Sequence, residues 1–165
     1  MGAAVDALFL DGRLNVGAGY ISNLAESDEE YLREENNFFQ NKVGAWSAYA
    51  VYEADSWAVS IEALQATDSF REFERSANKP KAWNLESAYF VNNNMQIALR
   101  YEQSDELIDE AQEKYGIALT WHLANKISFT AEYLRADYKK GFVEEDDDIF
   151  VARGDTFAVW FAFEF

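Results

Sequence analysis

A period of two runs through this chain and limits its fold more than any other feature. Met95, Ile97, Leu99 and Tyr101 alternate with Gln96, Ala98, Arg100 and Glu102. Tyr115, Ile117, Leu119, Trp121 and Leu123 alternate with Gly116, Ala118, Thr120 and His122. The closing segment sets Phe157, Val159, Phe161, Phe163 and Phe165 against Thr156, Ala158, Trp160, Ala162 and Glu164. Such alternation belongs to β-strands whose two faces meet different surroundings, because successive side chains point to opposite sides. Leu14–Tyr20, Trp57–Ala63, Trp83–Val91 and Ile127–Tyr133 follow the same rule. Residues 43–52 (VGAWSAYAVY) are apolar on both faces, so periodicity leaves their orientation open; Trp46 and Tyr52 outward is the preferred of the two. The expectation is an all-β antiparallel fold of about eight strands, each near the 9–11 residues that a tilted strand needs to cross a bilayer.

The connections alternate between short and long. Glu53–Ser56, Asn92–Asn94 and Ala124–Lys126 read as tight hairpin turns, where Asn tolerates the positive φ such turns demand. Between them lie polar stretches of roughly 26–42, 68–81, 103–114 and 137–155. Short turns at one end of a sheet and long loops at the other are the organisation of a transmembrane β-barrel. Both termini are then expected at the short-turn, periplasmic side. The chain reads as one domain over 1–165, with 1–11 an irregular N-terminal segment. Met1–Asp6 has neither a basic nor an apolar region of a secretory signal, so a barrel chain is expected here as a mature form or a fragment.

Composition removes other classes. The 30 acidic against 14 basic residues in 165 give a formal net charge of −16, which repels nucleic acid phosphates. Absence of cysteine rules out disulfides, a thiol nucleophile and cysteine-ligated zinc. A spanning helix needs about 20 mostly apolar residues, and the best uninterrupted run, Phe157–Phe163, is far shorter.

A soluble barrel also alternates, so the residue types on each side decide its orientation. The less apolar side is rich in Gly, Ala, Ser and Thr, with isolated charges at Arg13, Glu62, Glu86, Arg100, Glu102, Glu132 and Glu164. Small residues with a few ionisable groups of both signs suit a narrow barrel interior, where small side chains fit and Arg13 and Arg100 need carboxylate partners. The apolar side ends in Trp, Tyr and Phe near both the turns and the loops, as expected where bilayer meets water. Phe165, closing a strand of alternating aromatics, is assigned as the signal read by the outer-membrane assembly machinery.

Other motifs yield weaker chemistry. Glu144, Glu145, Asp146, Asp147 and Asp148 could gather a hard cation but lack EF-hand spacing and glycine, so they read as a solvated loop run, like 26–30. No metal site, cofactor site or catalytic residue is assigned. The acidic loops would form a negative mouth favouring cations. The loop 68–81 carries Arg71, Arg75, Lys79 and Lys81, which can meet acidic neighbours or lipopolysaccharide phosphates. His122, the one histidine, has no visible nucleophile-and-carboxylate arrangement and reads as an interior residue. Gly17 and Gly19 lack the third glycine of a dinucleotide fingerprint and read as relief of crowding.

Several segments, ISNLAESDEEYL (21–32), KPKAWNLESAYFV (79–91), ALRYEQSDEL (98–107), YGIALTWHL (115–123), FTAEYLRADY (129–138) and TFAVWFAFEF (156–165), resemble the C-terminal half of LbtU-type siderophore porins of Gram-negative outer membranes. The stretches 82–86 and 98–102 carry the resemblance most specifically. It implies a location in the bacterial outer membrane, contact with lipid and lipopolysaccharide, and a porin-like or siderophore-uptake lineage. Members of the family look like larger barrels, so this chain is either a small closed barrel or part of a wider one, including one made by pairing copies of itself. The alternative is a structural or adhesion barrel without transport, whose acidic loops bind cations or partners. No enzyme activity is expected.

Overall fold

The computed structural model describes residues 1–24, 41–71, 79–105, 110–124, 126–138 and 152–163. Those residues form nine strands: β1 (Gly2–Phe9), β2 (Leu14–Ile21), β3 (Ala45–Glu53), β4 (Trp57–Ala66), β5 (Lys81–Asn92), β6 (Met95–Asp105), β7 (Glu113–Ala124), β8 (Ile127–Asp137) and β9 (Arg153–Phe163). The strands make a single sheet in sequence order, every neighbour antiparallel. There is no helix among the described residues.

Two expectations are corrected at the N-terminus. Residues 2–9 are not irregular; they pair with β2 over their whole length, from Gly2↔Ile21 to Phe9↔Leu14. The turn between them places Leu10, Asp11 and Gly12 at φ of 54°, 55° and 86°, and the Gly12 and Arg13 amides donate to the Phe9 and Leu10 carbonyls. Asp11-Gly12 is itself a hairpin signal, and Ala3, Val5, Ala7 and Phe9 alternate before it. The ninth strand also moves the N-terminus. Gly2 begins β1 beside Ile21, at the end of the sheet where the long connections lie, while β9 finishes beside Ile127 at the short-turn end. The first residue of β1 and the last of β9 therefore lie at opposite ends of the sheet, not together.

The alternation of connections holds throughout. Turns join β1–β2, β3–β4, β5–β6 and β7–β8, and the longer segments join β2–β3, β4–β5, β6–β7 and β8–β9. β5 and β7 each carry a register shift just before their turns, between Phe90 and Asn92 and between His122 and Ala124. Val91 and Leu123 are therefore the extra residues of bulges, outside the paired register.

The sheet is open. β1 and β9 are its two edges and are not paired with each other. The buried apolar cluster is small and sits at the long-loop end: Leu24, Val43, Ala45, Ala66 and Phe70, with Ile21 against it. No second layer of described structure covers the rest.

Candidate functional site

Register assigns every strand residue to one of two faces. Tyr20↔Trp46, Leu14↔Tyr52, Tyr52↔Val59, Ile61↔Leu85, Leu85↔Tyr101, Tyr101↔Tyr115, Ile117↔Tyr133 and Tyr133↔Phe157 share one side across β2 to β9. This is the apolar face, and it settles the ambiguous strand β3: Trp46 and Tyr52 lie on it. Its large side chains are open to the surroundings, with Leu99 at 54%, Ile117 at 48% and Phe161 at 58% exposure.

The apolar face is graded along the strands. Its middle is aliphatic. Towards the turns, Tyr52 stacks at 5.2 Å on Trp57 and Phe129 at 5.2 Å on Phe161. Towards the loops, Trp83, Tyr101 and Tyr115 form a continuous aromatic row, with ring centroids 5.1 and 5.0 Å apart. The polar tips of that row all reach one step further towards the loops. Trp83 Nε1 donates to Gln103 (3.0 Å), the Tyr101 and Tyr115 hydroxyls to Glu113 (3.2 and 3.0 Å), and the Tyr133 hydroxyl to Asp155 (2.6 Å). Beyond them lie the ion pairs Lys81–Asp105 (3.0 Å) and Arg153–Asp137 (2.7 Å). Within about four residues, or roughly 13 Å of strand, the same face passes from aliphatic (Leu85) through aromatic (Trp83) to ionic (Lys81).

The opposite face is polar and is organised by rows running across the strands. One row passes through Asp6, Gly17, Tyr49, Glu62, Asn84, Glu102 and Lys114, each the register partner of the next. The Tyr49 hydroxyl donates to Asp6 at 2.6 Å, from β3 over β2 to β1. This reach requires glycine at position 17, where a Cβ would lie 2.3 Å from the Tyr49 ring and 2.8 Å from the Asp6 carboxylate. Asn84 donates to Glu62 at 3.4 Å, and Lys114 lies 3.6 Å from Glu102 and 2.7 Å from Glu110. Arg100, one row nearer the turns, is ion-paired with Glu102.

The sequence-assigned charges thus divide. Glu62, Arg100 and Glu102 belong to this linked row or its neighbour. Glu86 and Glu132 share the polar face, opposite Arg100 and between Ala118 and Ala158 respectively, but are not tied into the contacts above. Arg13 does not join them: it sits in the β1–β2 turn and pairs with Asp55 of the β3–β4 turn at 3.0 Å, both side chains exposed. Glu164, Phe165 and the acidic run 144–148 lie outside the described residues. Asp6, Tyr49, Asn84 and Lys114 are additions. The first two lie in segments that read as irregular or two-sided, and Lys114 falls in the stretch 103–114 that reads as a loop, although it shares a face with Gly116 and opposes Tyr115.

At the long-loop end the described parts of the β2–β3 and β4–β5 connections fold over the polar face. Ile21, Ala45 and Ala66 form one row of the polar face and are covered by Leu24, Val43 (0% exposed) and Phe70 (1%). On the apolar face at this level, Tyr20 and Trp46 stay open. Asn41 fastens the cover by donating to the Ser69 carbonyl and accepting from the Arg71 amide. Thr67 binds the Gly44 carbonyl through its amide and hydroxyl.

His122 lies on the polar face near the turns, opposite Ser128. Thr120 and Thr130 share a hydroxyl contact of 3.1 Å on the same face. Among the described residues no group of three or more His, Asp or Glu could hold a metal ion. No family model matches this chain, and no curated protein or solved structure is significantly similar to it.

Proposed function

We propose that this chain is a β-barrel protein of the bacterial outer membrane, with its apolar face against lipid and its polar face towards a water-filled interior. The observation that carries the reading is the graded, uncovered apolar face. A soluble single-layer sheet exposing Leu99, Ile117 and Phe161 beside a continuous aromatic row would aggregate, whereas an aliphatic band with aromatic residues at both ends, and an ionic row beyond them at the loop end, matches a hydrocarbon core with its two interfaces. The loop cover on the polar face supports the same inside–outside assignment, since loops of a barrel fold over its interior. Lys81, Arg135 and Arg153, at the loop end of the apolar face, would lie level with lipopolysaccharide phosphates.

The transport reading, in a porin-like or siderophore-uptake lineage, rests on the sequence resemblance and on the hydrophilic polar face. A second reading, a structural or adhesion barrel without conduction, is favoured by the buried Phe70 cluster, which narrows the loop end. One set of experiments separates them. The refolded chain is expected to insert into lipid vesicles and to change gel mobility on boiling. Discrete, cation-selective openings in a planar bilayer support transport. Insertion without openings supports the structural reading, and a folded monomer in detergent-free buffer overturns both.

A further inference from the structure

We propose that cations are selected in the middle of the wall, by Asp6, Glu62, Glu86 and Glu132, and not by the acidic loops. The inference rests on the transport reading above and deepens it by naming the residues that select and the class of solute they pass.

Three observations carry it. First, these carboxylates sit at the middle of their strands. Glu62 is the sixth residue of ten in β4, Glu86 the sixth of twelve in β5 and Glu132 the sixth of eleven in β8. Asp6 stands opposite Gly17, the fourth of eight in β2. Turns and longer connections mark the two ends of the sheet, so strand middles mark one level between them.

Second, the carboxylates follow that level and not a register row. Asp6 and Glu62 share a row through Gly17 and Tyr49; Glu86 lies one row nearer the turns, and Glu132 one row nearer still. A barrel wall has this stagger, because its strands tilt and a line of constant height crosses the register. Their chain neighbours Ile61, Leu85 and Ala131 occupy the apolar face, so the charges stand where the hydrocarbon is deepest. Ionisable groups at that depth line ion and substrate pathways.

Third, the carboxylates are not neutralised. Among the described residues none of them forms an ion pair, and Asp6 and Glu62 bind only the uncharged Tyr49 and Asn84. Arg100, the register partner of Glu86, is paired with Glu102 instead. Asp6, Glu62 and Glu86 are exposed and Glu132 is half-buried. Immediately on the turn side of Glu86 runs the row Ala58–Ala88–Ala98–Ala118, above which the longer charged side chains project furthest inward. Unpaired negative charges at one level of a low-dielectric wall concentrate cations and repel anions.

The test is the reversal potential in a planar bilayer under a potassium chloride gradient, with insertion verified by the mobility change on boiling. Asp6→Asn, Glu62→Gln, Glu86→Gln and Glu132→Gln, each alone, are expected to lower the cation-to-anion permeability ratio about twofold, and together to abolish the preference. Replacing Glu144, Glu145, Asp146, Asp147 and Asp148 by the corresponding amides should leave most of it in place. A second measurement keeps the charges. The chain has no cysteine, and Ala118→Cys sets a thiol opposite Glu132. In inserted protein a positively charged thiol reagent should react there faster than a negatively charged one, each normalised to its rate with a free thiol. Adding Glu132→Gln should narrow the difference.

A preference that survives the fourfold variant, or that is lost with the loop charges alone, overturns the proposal. Equal reactivity of Ala118→Cys with both reagents does the same, and decides the matter if the fourfold variant fails to insert. Inserted protein without openings, or with openings that do not prefer cations, also overturns it while the membrane reading stands. Failure of the unmodified chain to insert contradicts instead the membrane reading itself.

Discussion

Removing the side chain at position 17 lets the Tyr49 ring cross β2 and hydrogen-bond Asp6 on β1, so the outermost strand is tied to the third by one absent methyl group. Gly12 differs: it has open space around it, and its requirement is the positive φ of 86° in the turn. Gly17→Ala is therefore expected to lower the unfolding midpoint in micelles by on the order of 5 °C. In a Tyr49→Ala background the same substitution should cost much less, because the ring is gone and only the end of the Asp6 side chain has to give way. Equal costs in both backgrounds, read by thermal melts of the four variants, would show that Gly17 does not act through Tyr49. The two-glycine motif was legible as relief of crowding. Its partner was not, because Val43–Tyr52 is apolar on both faces and periodicity alone could not aim Tyr49.

The connections act as elements of the structure in their own right. Phe70 and Val43 are the largest fully buried side chains described, yet they sit in connections and not in strands. They roof the row Ile21–Ala45–Ala66, and Asn41 and Thr67 lock the segments together. Phe70→Ala should cost about 3 kcal/mol locally. The Leu24 and Thr67 amides, bonded to Val43 and Gly44 carbonyls, should then exchange hydrogen much faster while amides of β6 to β8 keep their protection. Uniform loss of protection would mean that the roof and the sheet unfold as one unit. Strands β2 to β9 were legible because alternation is a backbone property. The roof was not, since it depends on which residues of two loops meet across three strands. β1 was overlooked although Asp11-Gly12 marks its turn, because Ala and Gly give its early positions little contrast between faces.

For the molecule as a whole, one sheet with unlike faces and open edges gives the account its shape. The register separates aliphatic, aromatic and ionic rows on one side from a linked polar row on the other, and the membrane reading follows from that separation. The tryptophans test the assignment of faces directly. Four of the five (Trp46, Trp57, Trp83 and Trp121) lie on the apolar face and Trp160 lies on the polar one. Two single-tryptophan proteins, retaining Trp121 or Trp160 with the others changed to Phe, can be refolded into vesicles of lipids brominated along their acyl chains. Strong quenching of Trp121 with little quenching of Trp160 is the predicted result; equal quenching, or quenching of Trp160 alone, would contradict the account.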